Sequence, residues 1–101
     1  MKHKYKKEYS EEILEALVVA AKNKDTLREF LRDILTKNEY ENVAMRWQII
    51  KRLAKGVKQW DIADSLGLGI GTITRGSNEL RDREGGFHKL LEILKLNNKN
   101  K

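Results

Sequence analysis

The 101-residue sequence contains no cysteine and no proline. Without cysteine there is no disulfide framework and no thiolate nucleophile, and a cytoplasmic location is expected. No apolar run approaches the roughly 18 residues of a membrane span, and no signal peptide is recognisable at the N-terminus. The two histidines, His3 and His88, stand near no candidate nucleophile and lack the spacing of metal ligands. These absences argue against an enzyme, a metal site and a membrane protein.

The missing proline and the scarcity of alternating β-branched residues favour an all-helical protein. We predict a single helical domain over residues 8–96, with a basic tail at 1–7 and a polar tail at 97–101. The net charge of +6 comes from these tails, since residues 8–95 carry equal numbers of basic and acidic side chains. Such tails either reach phosphates as basic arms or only aid solubility.

Capping signals and helical spacing of apolar residues predict the first three helices. Ser10 and Asp25 are expected to cap the first two. Thr36 and Glu39 have the spacing of a capping box, which opens a third helix that stops at Gly56. That third helix is apolar on most sides, so an intertwined homodimer is predicted to bury it. A central helix buried in a compact monomer is the alternative.

Two short helices follow, at about Lys58–Ser65 and Ile70–Leu80, and form a helix-turn-helix within residues 58–80. Apolar residues such as Ile62 and Ile73 are expected to pack them together. The second helix of this motif lies in the major groove of DNA, with its N-terminal residues nearest the bases. A helical hairpin used only for packing is the alternative. The residues expected to contact DNA are Lys58, Gln59, Gly69, Ile70, Gly71, Thr72 and Thr74.

Gly76 stands next to a cation, Arg75, inside the second of these helices. A glycine in a helix interior costs about 1 kcal/mol relative to alanine. Something is therefore expected to approach the backbone closely at Gly76. A small ligand held against the DNA-reading helix is the hypothesis.

The segment from Gly67 to Asn78 resembles the recognition region of the bacterial Trp repressor family, and the spacing of Leu35-Thr36, Arg46 and Gly56 matches that family as well. The resemblance covers about Tyr9 to Leu94, with the turn after Gly56 one residue shorter. It implies an all-α, six-helix domain that forms an intertwined homodimer. It also implies a sequence-specific transcriptional repressor that binds operator DNA and uses L-tryptophan as corepressor.

By the same resemblance, Arg46 and Arg75 flank the indole ring, and Arg75 also binds the carboxylate. Thr36 of the partner subunit helps to hold that carboxylate, the backbone around Leu35 accepts from the ammonium, and Gly76 leaves room for the ring. Two of these residues also suit simpler structural roles, since Thr36 can cap a helix and Arg46 can lie on a solvated helix face.

Glu79 departs from the family, which usually has at this position a serine that contacts the tryptophan ammonium. Its carboxylate either holds the ammonium or pairs with Arg75, one helical turn earlier. Trp60 and Ala63 also depart, because they replace basic residues that usually contact phosphate. Two alternatives follow: a regulator of the same fold that ignores tryptophan or senses another ligand, and a helical protein-interaction dimer.

Overall fold

The computed structural model describes residues 4–96, which form six α-helices and no strand. The predicted all-helical, six-helix fold is confirmed for this range. The contacts divide the chain between Tyr40 and Glu41 into an N-terminal and a C-terminal unit. The single domain over 8–96 stays a prediction, and residues 1–3 and 97–101 of the predicted tails lie outside the described range. The helices are α1 (Lys7–Ala20), α2 (Lys24–Ile34), α3 (Lys37–Ala54), α4 (Gln59–Leu66), α5 (Ile70–Glu79) and α6 (Gly86–Leu94).

The first two helices of the N-terminal unit begin earlier than the sequence predicts. Ser10 lies inside α1, where its hydroxyl donates a 2.7 Å hydrogen bond to the carbonyl of Lys7. The cap of α2 is Asn23, whose Oδ1 accepts from the backbone N–H of Thr26 at 3.0 Å. Asp25 lies in the first turn, where the helix dipole favours an acid. The predicted caps Ser10 and Asp25 are therefore wrong, since another residue begins each helix.

Thr36 and Glu39 form the predicted capping box at the start of α3. The backbone N–H of Thr36 donates to Glu39 Oε1 at 2.8 Å, and the N–H of Glu39 donates to Thr36 Oγ1 at 3.1 Å. Both donors would otherwise lack an intrahelical acceptor. Gly56 follows the helix with φ of 88°, a conformation that L side chains rarely adopt. Both predicted ends of α3 are confirmed.

In the C-terminal unit an apolar core joins α4 and α5 into a helix-turn-helix. Ile62 and Ile73 are wholly buried, as predicted, and Ala63 is small enough for the two helices to lie close. Gly67 ends α4 in the left-handed conformation, with φ of 68°. Four half-buried residues complete this core: Leu53, Leu66, Leu68 and Ile70.

Ile49 of α3 belongs to the same core and is only 3% exposed. It lies off the broad apolar face of α3, and the sequence pattern assigns such surplus apolar surface to a partner subunit. The single chain already buries this residue. The apolar residues spread around α3 therefore support a dimer only in part, because one chain alone buries some of them.

Gly76 brings α5 close to α3. A Cβ built on Gly76 would lie 2.9 Å from Cγ2 of Ile49 and 3.5 Å from Cδ1 of Leu53. The glycine thus admits a close neighbour, as predicted, and that neighbour is a side chain of the same chain. By contrast, a Cβ on Gly71 would meet nothing within 4 Å.

We expect Thr36→Ala to lower the free energy of unfolding by about 1 kcal/mol, because the N–H of Glu39 loses its acceptor. Urea unfolding followed by circular dichroism, without added ligand, measures this change. Thr26→Ala is the matched control, since Thr26 is exposed and its hydroxyl makes no hydrogen bond within residues 4–96. Equal losses in the two variants would contradict a capping role for the Thr36 hydroxyl.

Gly76→Ala is expected to destabilise the protein by about 1–3 kcal/mol, as overpacking does. The reason is that Cγ2 of the buried Ile49 is attached directly to its Cβ and cannot swing away. Gly71→Ala is the control and should stabilise by up to about 1 kcal/mol, because alanine is the better helix former.

Denaturant unfolding of both variants measures the difference. Adding Ile49→Leu, which removes Cγ2, should relieve most of the Gly76→Ala penalty. If Gly76→Ala stabilised the protein as much as Gly71→Ala, the close contact would be disproved.

Candidate functional site

A cavity of about 340 Å³ lies in the C-terminal unit, against α3, α5 and the start of α6. One wall is apolar and includes both isoleucines of α3, the ring of Phe87 and the bare backbone of Gly76. The remaining lining residues are charged or hydroxylated. The full lining is Arg46, Ile49, Ile50, Thr72, Arg75, Gly76, Glu79 and Phe87.

Most of the predicted ligand-binding residues meet at this cavity. Leu35 and Thr36 are not among its lining residues and belong to the N-terminal unit. The family resemblance supplies them from the partner subunit, so their role stays a prediction. The predicted residues that line the cavity are Arg46, Arg75, Gly76 and Glu79.

Three apolar residues of the lining, Ile49, Ile50 and Phe87, were not predicted from the sequence. The sequence held one signal for Ile49, which lies off the broad apolar face of α3. An apolar residue at such a position needs a neighbour other than the one that covers the broad face. Ile50 and Phe87 belong to ordinary apolar stripes, which indicate burial but not which cavity the side chains line.

The charged side chains of the cavity are exposed and make no ion pair with one another. Arg46, Arg75 and Glu79 take part in no ion pair within residues 4–96, whereas Arg28 and Asp25 form one at 2.6 Å. The alternative pairing of Arg75 with Glu79 is therefore not formed. Two guanidinium groups and one carboxylate remain available to a ligand.

The predicted DNA-contacting residues occupy the start of α4 and the first turns of α5. Lys58, Gly69, Gly71 and Thr74 are exposed, and Gln59 is half-buried. The other two differ from the expectation of a DNA-facing position. Ile70 packs half-buried against the apolar core, and Thr72 lines the cavity.

Two polar contacts outside the apolar core tie the helices of this unit together. Thr74 Oγ1 on α5 lies 3.0 Å from Oε1 of Gln59 on α4. Arg52 Nη1 on α3 donates to Ser65 Oγ on α4 at 2.7 Å. The relative positions of α3, α4 and α5 therefore rest on hydrogen bonds as well as on apolar packing.

His88 connects α6 to the end of α5 through a hydrogen bond. Its Nε2 lies 2.7 Å from the carbonyl oxygen of Leu80, so Nε2 carries the proton and donates. Within residues 4–96, no three His, Asp or Glu side chains form a group that suits a metal ion. In the same range, no helix has both the length and the apolar character that crossing a bilayer requires.

Residues 10–95 match the protein family described as Trp repressor protein. Similar proteins named Trp operon repressor homolog occur in several bacteria. The one from Vibrio parahaemolyticus is 40% identical over 62 residues, 60% of each chain. The one from Vibrio campbellii is 45% identical over 51 residues, 50% of this chain and 51% of its own. The one from Aliivibrio salmonicida is 35% identical over 83 residues, 77% of each chain.

This chain spans less than two thirds of the length of either Vibrio relative. The family match is longer, since it takes in most of α1 and all of α2 to α6. It therefore includes both the cavity and the helix-turn-helix. On this match and the similarity to the Aliivibrio protein, the chain belongs to the Trp repressor family.

Proposed function

We propose that this chain is a sequence-specific transcriptional repressor that binds operator DNA as a homodimer and takes L-tryptophan as its corepressor. One observation carries the proposal: the same helix, α5, lines part of the cavity and exposes residues that are predicted to contact DNA. Arg75 and Glu79 line the cavity, while Gly71 and Thr74 are exposed on the same helix. A ligand in the cavity therefore bears directly on the helix that reads DNA. The names of the relatives support the same function.

The charges and walls of the cavity suit a free aromatic amino acid. A guanidinium such as that of Arg75 binds a carboxylate through two parallel hydrogen bonds. The Glu79 carboxylate suits the ammonium, and the guanidinium plane of Arg46 suits the face of an aromatic ring. The volume of about 340 Å³ falls within the range of small-molecule sites, roughly 300–1,000 Å³. L-tryptophan meets all of these requirements.

Exposed apolar side chains support the homodimer. In the N-terminal unit, Val18 and Val19 of α1 are 66% and 64% exposed, and in the C-terminal unit Ile93 of α6 is 74% exposed. Burying such exposed apolar side chains against a second chain removes their surface from water, which favours association. A second copy is the partner that the family resemblance implies, and it would bring its own Leu35 and Thr36 to the ligand.

Few residues of this chain are available to contact the phosphates of DNA. Trp60 is 71% exposed and Ala63 is buried, at positions where the family usually has basic residues. We assign phosphate contact to Lys58, which is exposed at the start of α4, and to the lysines near the two ends of the sequence. We therefore expect a DNA affinity with a shallow salt dependence, since each phosphate contact steepens it.

Arg75→Ala should weaken L-tryptophan binding at least about tenfold, because a charge-assisted hydrogen bond is lost. Isothermal titration calorimetry measures the affinity, with D-tryptophan as the ligand control. Arg83→Ala is the matched variant, because Arg83 is an exposed arginine that does not line the cavity.

The same proteins are then tested for DNA binding by fluorescence anisotropy, with and without L-tryptophan. We expect the unsubstituted protein to bind L-tryptophan saturably, near one ligand per subunit. We also expect the ligand to strengthen its DNA binding. A flat titration with retained DNA binding would point to a regulator with another ligand or none. No DNA binding even at low salt would point to a protein-interaction dimer.

Glu79→Gln should lower the affinity for L-tryptophan about tenfold, because it removes the charge that faces the ammonium. Indole-3-propionate lacks that ammonium and should bind the variant no more weakly than it binds the parent. Glu84→Gln, at an exposed position outside the cavity, is the control. Tighter tryptophan binding by Glu79→Gln would mean that Glu79 obstructs the site.

A further inference from the structure

We propose that Thr74 is a positioning residue for Gln59, and that Gln59, so held, reads an adenine in the major groove. The contact that carries this inference joins the two helices of the helix-turn-helix, Thr74 on α5 and Gln59 on α4. The inference rests on the DNA binding proposed above. It adds that the base read is an adenine and that Thr74 holds Gln59 in position.

The protons of this contact can be assigned. Thr74 Oγ1 lies 3.0 Å from Gln59 Oε1 and 3.0 Å from the carbonyl oxygen of Ile70. An amide oxygen carries no proton, so the approach of the two side-chain oxygens is favourable only when the hydroxyl donates to Oε1. The hydroxyl has one proton, which it shares between Gln59 Oε1 and the Ile70 carbonyl, and that carbonyl also receives the helical N–H four residues on.

This bond leaves Gln59 with the pattern that adenine needs. An amide oxygen has two acceptor positions, and Thr74 takes one of them, so one remains. The two N–H groups of Nε2 make no hydrogen bond within residues 4–96. A free acceptor beside a free donor matches N6–H and N7 of adenine in a bidentate contact. Guanine offers two acceptors at the same edge and satisfies only the donor.

The orientation of the amide decides this selectivity. A glutamine side chain that is free to turn over can direct its donor to either purine, which weakens discrimination between them. Thr74 holds the oxygen side of the amide toward α5, which favours this orientation over the reversed one. The half-burial of Gln59 further limits its motion.

Selection of duplexes from a random-sequence library by the full-length protein, with saturating L-tryptophan, tests the inference. Gln59→Ala first identifies the base pair that Gln59 reads, and adenine is expected there. Thr74→Val, which keeps the shape but removes the hydroxyl, should lower the preference for adenine over guanine at that pair about threefold, because the effect is limited by the one hydrogen bond that orients the amide. Thr74→Ser keeps the hydroxyl and should retain the preference.

A double-mutant cycle on the DNA-free protein tests the bond itself. Gln59→Ala and Thr74→Val should be coupled about threefold in the unfolding equilibrium constant, as one exposed hydrogen bond requires. Additive effects would overturn the inference. The inference would also be overturned if Thr74→Val lowered the DNA affinity equally for all sequences. A base other than adenine at the pair that Gln59 reads would overturn it as well. A parent protein that binds no DNA would instead overturn the proposed function on which this inference rests.

Discussion

The contact between Ile49 and the bare backbone of Gly76 determines where α5 lies against α3. Ile49 is buried in the same cluster as Ile62 and Ile73, so its position is tied to the packing of α4 against α5. The cavity is lined by the same two residues, Ile49 and Gly76. The depth of the cavity and the placement of α5 therefore follow from one close approach between two helices.

The charged residues of the cavity suit selectivity better than affinity. Arg46, Arg75 and Glu79 are exposed, so water limits each contact with a ligand to about 1–2 kcal/mol. The apolar wall would supply the rest of a ligand's binding free energy, at about 25 cal/mol for each Å² of apolar surface removed from water. No ion pair among these three side chains has to be broken before a ligand enters. Their charges can therefore select ligands that carry complementary polar groups.

The features that were predictable from the sequence are those set by neighbours along the chain. The capping box of Thr36 and Glu39 depends only on residues three apart, and the end of α3 at Gly56 depends on one backbone angle. The starts of α1 and α2 were harder, because several nearby residues can cap a helix and small energy differences choose among them. The apolar pairing of α4 with α5 was predictable because its residues repeat at helical spacing.

The candidate site was predictable only in part, because its neighbours come from distant positions. The sequence indicated that something approaches Gly76 but not that Ile49 does so, since the two are far apart in the chain. Thr72 stands on the flank of α5 between the cavity and the predicted DNA face, where spacing alone cannot assign a side. The roles of Leu35 and Thr36 depend on a second copy of the chain and stay predictions.

The tight fit at Gly76 also bears on how such a regulator can evolve. A side chain at position 76 requires a change of shape at position 49, so position 76 is constrained by the residue at position 49. Gly71 has open space around it and no such tie to the core. Mutations there can change the exposed face of α5 while the cavity is inherited unchanged. Duplicated copies of such a gene can therefore diverge at this face of α5 before they diverge at the cavity.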